Sequence, residues 1–301
     1  MAISRSQLVK ELEPGLNALF GLEYKRYENE HEQIFDKETS DRAFEEEVML
    51  SGFGNAAVKA EGSGVSYDQA QETFTARYTH NTIALAFAIT EEAIEDNLYD
   101  RLASRYTKAL ARSMANTKQV YAANVLNNAF NASYLGGDGV VLCSTSHPTL
   151  AGTFSNTLAT AADLNETSLE QALIDIAAFT DERGLKIAAQ GLKLIIPSAL
   201  QFTADRLMKS AGRVGTSDND INAIKDMGMV PQGYTVNHFL TDSDAFFIKT
   251  DAPNGLKYFE RAPIKTSMEG DFETGNVRYK ARERYSFGWS DPRGIYGTAG
   301  A

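Results

Sequence analysis

Cys143 is the only cysteine in 301 residues, so the chain cannot close an internal disulfide, and nothing in its cysteine usage points to an oxidising compartment. Long apolar runs are missing as well. The longest, Ile83 to Ile89, is far short of the ~20 residues that a membrane-spanning helix needs. The start, Met1-Ala-Ile-Ser-Arg-Ser-Gln7, has no apolar core like that of a secretory signal. Basic residues are scarce: 29 Lys and Arg face 40 Asp and Glu, for a net charge of -11 and a pI of about 4.9. A protein whose affinity came from wrapping phosphates would show the opposite balance. The expectation is a soluble chain, made in the cytosol, for which nucleic acid is not the default partner.

Recognisable chemistry is also missing. Gly136-Gly-Asp-Gly139 has the glycines of a phosphate loop but no Lys-Ser or Lys-Thr after them, so it reads as a turn. Cys143 and His147 offer a nucleophile and a base, or two metal ligands. The other histidines (His31, His80 and His238) lie far away in sequence, and His147 sits before Pro148 in a Ser/Thr-rich stretch. Asp218-Asn-Asp220 lacks the glycine and the final glutamate of a calcium loop and reads as a solvated turn. Forty acids make chance carboxylate pairs inevitable, so none is assigned to acid–base work. The reading assigns no catalytic, cofactor-binding or metal residue.

What is present is a set of elements that overhang. Hydrophobic residues make up 43% of the chain, enough for a large core. Leu8, Val9 and Leu12 have helical spacing, Pro14-Gly15 predicts an interruption, and Leu16, Leu19, Phe20 and Tyr24 resume the pattern. From Glu28 to Glu47 nine carboxylates face only Lys37 and Arg42, which reads as a solvated face or a patch for a basic neighbour. A strand is predicted from Val48 to Lys59, then a tip at Glu61–Asp68, then a second extended stretch from Thr73 to Thr90. There Ile83, Leu85, Phe87 and Ile89 alternate with Ala84, Ala86 and Ala88. Such a stretch would reach about 60 Å, further than any compact core beneath it.

A long helix should follow. Thr90 is its predicted cap, Glu91, Glu92, Glu95 and Asp96 suit the dipole of its first turns, and Ile94, Leu98, Leu102, Tyr106, Leu110, Met114, Val120, Tyr121 and Val125 keep near-helical spacing toward Phe130, with a break near Asp96-Asn97. Residues 131–165 read as loop. An α/β pattern comes next: a capping box at Thr167–Glu170 and a stop at Gly184, a strand at Leu192–Ile196, a helix capped by Ser198 and Gln201 that ends near Gly212, and short strands at Tyr234–Leu240 and Ala245–Lys249. From Leu256 the chain is strand-rich. Arg278, Lys280, Arg282 and Arg284 share one strand face, opposite Val277, Tyr279, Ala281 and Tyr285. This basic ladder needs counter-charge. The expected partner is the acidic 28–47 segment, within or between subunits, with packaged DNA as the alternative.

Several strings carry a family resemblance: Pro14–Phe20, Tyr134–Val140, Ser146-His-Pro148, Asn219–Asn222, Arg284–Trp289 and Asp291–Gly297. In order along most of the chain, they resemble the major capsid proteins of tailed phages with the Hong Kong 97 fold, in particular the branch of the Mu-type head subunit. The resemblance implies an α+β fold of four parts: an N-terminal arm (1–42), an extended β-hairpin loop (43–82), a peripheral domain with a long spine helix (83–164 and 266–301) and an α/β axial domain (165–265). It implies a structural protein that assembles with itself, as hexamers and pentamers, into an icosahedral shell around double-stranded DNA. Its location would be the virion capsid, reached from the host cytoplasm.

The short arm leaves no room for a fused scaffold, so a separate scaffolding protein is expected, with no large N-terminal piece removed. A portal and a cement protein are the other implied partners, and packaged DNA would be touched only weakly and non-specifically. No motif transfers the lysine–asparagine cross-link of some relatives, although Lys59 lies near the loop tip. Three rivals remain: an encapsulin-like nanocompartment shell, a self-assembling surface or tail-tube protein and, in another class, a cysteine hydrolase using Cys143 and His147.

Overall fold

The computed structural model describes residues 5–90, 92–93, 99–212, 220–271 and 274–301, without the side chains of 5–12 and 99–102. The expectations placed on Glu91, Ile94, Glu95, Asp96, Asn97, Leu98 and Asp218 therefore lie outside the described residues, and Leu8, Val9, Leu12 and Leu102 are described in their backbone alone. Helix α1 (Arg5–Tyr24) runs through Pro14, where an interruption was expected. An internal proline costs a helix about 3 kcal/mol. Here Leu16 and Phe20, one turn apart and both buried, pack against the long helix α2 (Tyr99–Asn127) and the sheet beneath it, and that burial offsets the lost hydrogen bond.

Four strands form the first sheet, in the order β1 (Asp36–Thr39), β10 (Leu256–Gly270), β11 (Val277–Trp289) and β4 (Asn81–Ile89). Helix α2, about 44 Å long at 1.5 Å per residue, lies on one face of this sheet. Its buried stripe is Ala103, Leu110, Ala111 and Met114, whereas Tyr106, Val120 and Tyr121 are exposed. Small residues on the buried stripe let the helix approach the strands closely. At the end of β4, the Thr90 hydroxyl accepts the Ala93 N–H at 3.4 Å, whereas the described long helix starts at Tyr99.

The expected 18-residue strand is two strands. β3 (Glu72–Thr79) pairs with β2 (Phe44–Leu50), whereas β4 pairs with β11, and the exchange of partners falls on His80. That residue is buried, with Nδ1 2.9 Å from the Ser286 hydroxyl and Nε2 2.9 Å from the Ser40 hydroxyl, so it is held from both sides where the ribbon leaves one sheet for the other. The Val48–Lys59 strand is also displaced. β2 starts at Phe44 and stops at Leu50, after which Gly52, at φ +65°, turns the chain out of extended geometry. Between Ser51 and Gln71 there is no strand.

The second sheet has the order β12 (Ile295–Thr298), β9 (Phe246–Thr250), β7 (Gly191–Ile196) and β8 (Tyr234–Val236). Leu194, Ile196, Phe246, Ile248 and Tyr296 face one core, with helices α3 (Glu166–Ala177) and α4 (Gln201–Lys209); Ile195, Phe247 and Ile295 face another, shared with Ala122, Leu126 and Tyr258. Covering both faces explains why these strands read as near-continuous apolar runs. A short ribbon, β5 (His147–Thr149) with β6 (Gly152–Phe154), and the single-turn helix α5 (Ala223–Asp226) complete the order.

Two predicted caps shift. Asn165, not Thr167, caps α3 reciprocally with Ser168, and α4 is entered through a 3-10 turn at Ser198–Leu200 with no side-chain cap. The polar residue nearest the last extended residue takes the cap, and at 197 that place is held by a proline. α4 also ends at Lys209, three residues before Gly212.

The inward phase of β11 holds one acid among its apolar residues. Glu283, 1% exposed, accepts from Lys118 Nζ of α2 at 3.2 Å and from the Tyr24 hydroxyl of α1 at 3.1 Å, while its second oxygen has no partner among the described residues. Lys118 Nζ also lies 5.1 and 5.2 Å from the ring centres of Tyr258 and Tyr285. Burial pushes the Glu283 carboxyl above its ordinary range, and Lys118 and Tyr24 oppose that shift. The folded chain therefore holds this proton more tightly than the unfolded chain. The resulting contribution is present in acid and fades as pH rises through the folded value. Glu283→Gln at pH 7 is expected to lose about 3 kcal/mol in urea unfolding because Lys118 is left without counter-charge, and Lys118→Met with Glu283→Leu should recover most of it. A loss below about 0.5 kcal/mol for the single variant would refute the coupling.

Candidate functional site

Strings that are distant in sequence meet at the base of the 51–71 loop. Gly136 lies under Trp289: a Cβ there would come within 2.0 Å of the indole ring. At Gly137 a Cβ would come within 2.5 Å of the Thr75 carbonyl oxygen on β3. The glycines expected to form a turn do so, with the Gly139 N–H donating to the Gly136 carbonyl at 3.1 Å and Gly139 at φ +76°. Their smallness is what lets the turn press on the loop's second strand.

Asp138, in the same turn, accepts the Val140 N–H through Oδ1 at 3.1 Å and faces His147 Nδ1 through Oδ2 at 2.6 Å. His147 Nε2 in turn lies 3.1 Å from Asn156 Oδ1. The orientation of this amide is fixed. Asn156 Nδ2 donates to the carbonyls of Leu142, Pro292 and Ile295 at 2.8, 2.9 and 3.2 Å, so Oδ1 must face His147 and the Ser144 N–H. Asn156 is 0% exposed and joins three segments that no regular ladder connects. Beside it Arg293 is buried against Glu182 at 2.9 Å and Asp291 at 3.2 Å, with its guanidinium 4.8 Å from the Phe154 ring centre.

The neck of the loop is closed by hydrogen bonds: the Ser51 N–H donates to the Gln71 carbonyl at 2.9 Å, and the Gln71 N–H to the Ser51 hydroxyl at 3.0 Å. Below it, Glu47 is bonded to Lys257 and to Ser290, and Lys257 also pairs with Glu38 at 2.9 Å. Above it, Asp68 Oδ2 accepts the Gly54 N–H at 2.7 Å, and Oδ1 accepts from Arg183 of the α/β unit at 2.7 Å. The N–H groups of Gly54 and Gln69, with Arg183, hold the Asp68 carboxyl below its usual range. The rest of the loop presents Phe53, Val58, Val65 and Tyr67 to solvent, Tyr67 at 96% exposure.

The Cys143/His147 couple is corrected by this geometry. Both nitrogens of His147 are committed, to Asp138 and Asn156, and the buried thiol packs under Gly297, where an added Cβ would come within 2.8 Å of Sγ. Burial pushes the thiol well above its ordinary value, which removes the thiolate a nucleophile needs. Among the described residues no group of acids, histidines and cysteine could hold a metal ion, and no described helix is long and apolar enough to cross a membrane.

Among the described residues no ion pair joins the acidic segment to the basic ladder within the chain. Glu30, Asp36, Glu38, Glu46 and Glu47 pair instead with His238, Lys249, Lys257, Arg77 and again Lys257. Glu283, Asn156, Arg183 and Arg293 were missed by the sequence reading. Only Glu283 gave a signal, as an acid in the apolar phase of a strand.

A family model described as phage capsid protein matches residues 72–298. The chain belongs to the phage capsid protein family. No curated protein sequence matches it. Among solved structures, this capsid protein is similar to the procapsid of bacteriophage JBD30 (14% identity, 98% of this chain and 76% of that one, TM-score 0.55). It is also similar to the capsid of Myoviridae phage XM1 (9%, 89% and 89%, TM-score 0.52) and to a virus-like particle from Pyrococcus furiosus (11%, 94% and 97%, TM-score 0.51). At such identities the likeness shows the fold, and the α+β fold of Hong Kong 97 type expected from the sequence is the fold of this capsid protein.

Two outcomes check the junction. Native protein should leave Cys143 unmodified by a thiol reagent that reacts fully after urea unfolding; fast reaction of the folded chain would contradict the burial. Asn156→Ala should cost about 3 kcal/mol, because it strips partners from several buried groups at once, and an unchanged urea midpoint would show that the junction holds without it.

Proposed function

We propose that this capsid protein is the major head subunit of a tailed phage, assembling into an icosahedral shell around double-stranded DNA, with a structural rather than a catalytic role. The observation that carries this reading, beside the family, is the 51–71 loop: a closed neck, a rigid base, and exposed aromatic and aliphatic residues with no core of their own. Apolar surface held away from its own core is suited to lie on another copy of the chain. The four-part division goes with this reading: an arm (1–42), an extended loop (43–82), a peripheral domain with α2 as its spine (83–164 and 266–301) and an axial α/β domain (165–265). Sheet membership refines it, since β10 crosses 265/266 without a break and β12 lies in the α/β sheet. Kinship with the Mu-type branch rests on the sequence strings alone.

A separate scaffolding protein, a portal and a cement protein are the proposed partners, the virion capsid the proposed location, and the host cytoplasm the place of assembly. The likeness to a virus-like particle supports a second closed-shell reading, a nanocompartment without a genome, which the nucleic-acid content of native particles decides. Replacing Ala56–Ala70 by a Gly-Asn turn tests assembly. The shortened protein is expected to stay folded, with an unchanged melting temperature, but to give no closed particles in electron micrographs. Normal particles would remove the loop from the assembly mechanism.

A further inference from the structure

The outer face of the first sheet has a chemistry that the shell reading does not use. β11 lies between β10 and β4 in unbroken register with β4, so Arg278, Lys280, Arg282 and Arg284 stand directly opposite Ala88, Ala86, Ala84 and Thr82. Arg278 is neutralised by Asp271, and Glu269 stands across from it on β10. Lys280, Arg282 and Arg284 make no ion pair among the described residues, and Lys265, opposite Arg282, adds another positive charge. Three methyl-bearing residues therefore separate this basic row from the sheet edge. Nothing bulky stands between.

That edge is open. β4 is the last strand of the sheet, and no main-chain hydrogen bond reaches its far side from the described residues. Strand edges are normally protected by proline, lysine, a bulge or a covering element. Asn81–Ile89 contains no proline and no charge, and its pairing shows no register shift. On the face opposite the alanines, Leu85 is 46% exposed although it lies in the apolar phase.

The geometry points to a binding site for an extended acidic segment of a separate protein, added as a fifth strand along β4, with acids at every second residue and apolar residues between. Its strand axis would lie roughly 10 Å from β11, a gap that long acidic and basic side chains close from both sides over the alanine methyls. Its apolar residues would fall beside Leu85, and its main chain would satisfy the open edge. A second copy of this chain fits less well. Among the described residues, its extended segments with alternating acids are Asp36/Glu38 and Glu45/Glu47, and these are held by Lys249, Lys257 and Ser40. Duplex DNA would answer the charge but leave the edge groups and Leu85 unsatisfied.

The test uses the whole subunit and a short labelled peptide alternating glutamate with valine and threonine. Expected are saturable binding that weakens with salt, slower amide exchange across residues 81–89 on binding, and about tenfold weaker binding to Lys280→Glu/Arg282→Glu. If that variant fails to fold, Lys280→Gln/Arg282→Gln should show the same loss in smaller measure. Equal binding of a peptide with its glutamates in one block would overturn strand addition. Binding of duplex DNA without binding of the peptide would overturn it in favour of a nucleic-acid face. Failure of the Lys280→Glu/Arg282→Glu subunit to build particles on its own would assign the face to contact between copies. Particle formation by the unmodified chain is read separately, so the shell assignment and this site can fail independently.

Discussion

A carboxylate buried under the first sheet joins the arm helix, the long helix and β11. Glu283 draws Lys118 from the long helix and the Tyr24 hydroxyl from the arm helix into one contact, so three elements from the start, middle and end of the chain converge on one side chain. Apolar packing around it, from Leu16, Phe20, Leu110, Met114, Tyr279 and Ala281, supplies most of the free energy. That packing is not directional. The charged contact sets the register of both helices on the sheet, because sliding either one would strand a charge in an apolar layer.

Sequence reading recovers what depends on local periodicity. The alternation in 83–89, the strand around 192–196 and the one-sided ladder at 278–284 are where expected, and so is the helix through 106–125, although its buried stripe keeps Leu110 and Met114 and leaves Tyr106, Val120 and Tyr121 exposed. It fails where a contact from far along the chain overrides a local preference. Pro14 stays helical because Leu16 and Phe20 have a surface to pack on. The 73–90 stretch changes sheets at a histidine that two distant serines hold. Within the chain, Asp36, Glu38 and Glu47 find lysines at 249 and 257, and no ion pair joins them to the arginine ladder among the described residues.

The site shows the same division. The strings that carried the family resemblance were visible one by one, but nothing local shows that Gly136 lies under Trp289 or that Asp138, His147 and Asn156 form one chain of hydrogen bonds. Cys143 and His147, close in sequence, read only as a rival nucleophile–base couple. In the fold, one is sealed in hydrocarbon and the other is saturated with acceptors, so their proximity reflects the packing of the junction.

Asp68 bears on how readily subunits can associate. By binding Gly54 across the loop and Arg183 outside it, this carboxylate restricts the backbone on both sides of the tip before any partner arrives. Ordering a flexible segment at the moment of contact subtracts from affinity, typically by about 0.5–1.5 kcal/mol for each immobilised side chain. A loop already restrained gives up less freedom on docking. On the proposed docking of this loop against another copy, its aromatic residues would arrive from a narrow range of directions, which would select incoming copies for angle as well as for contact.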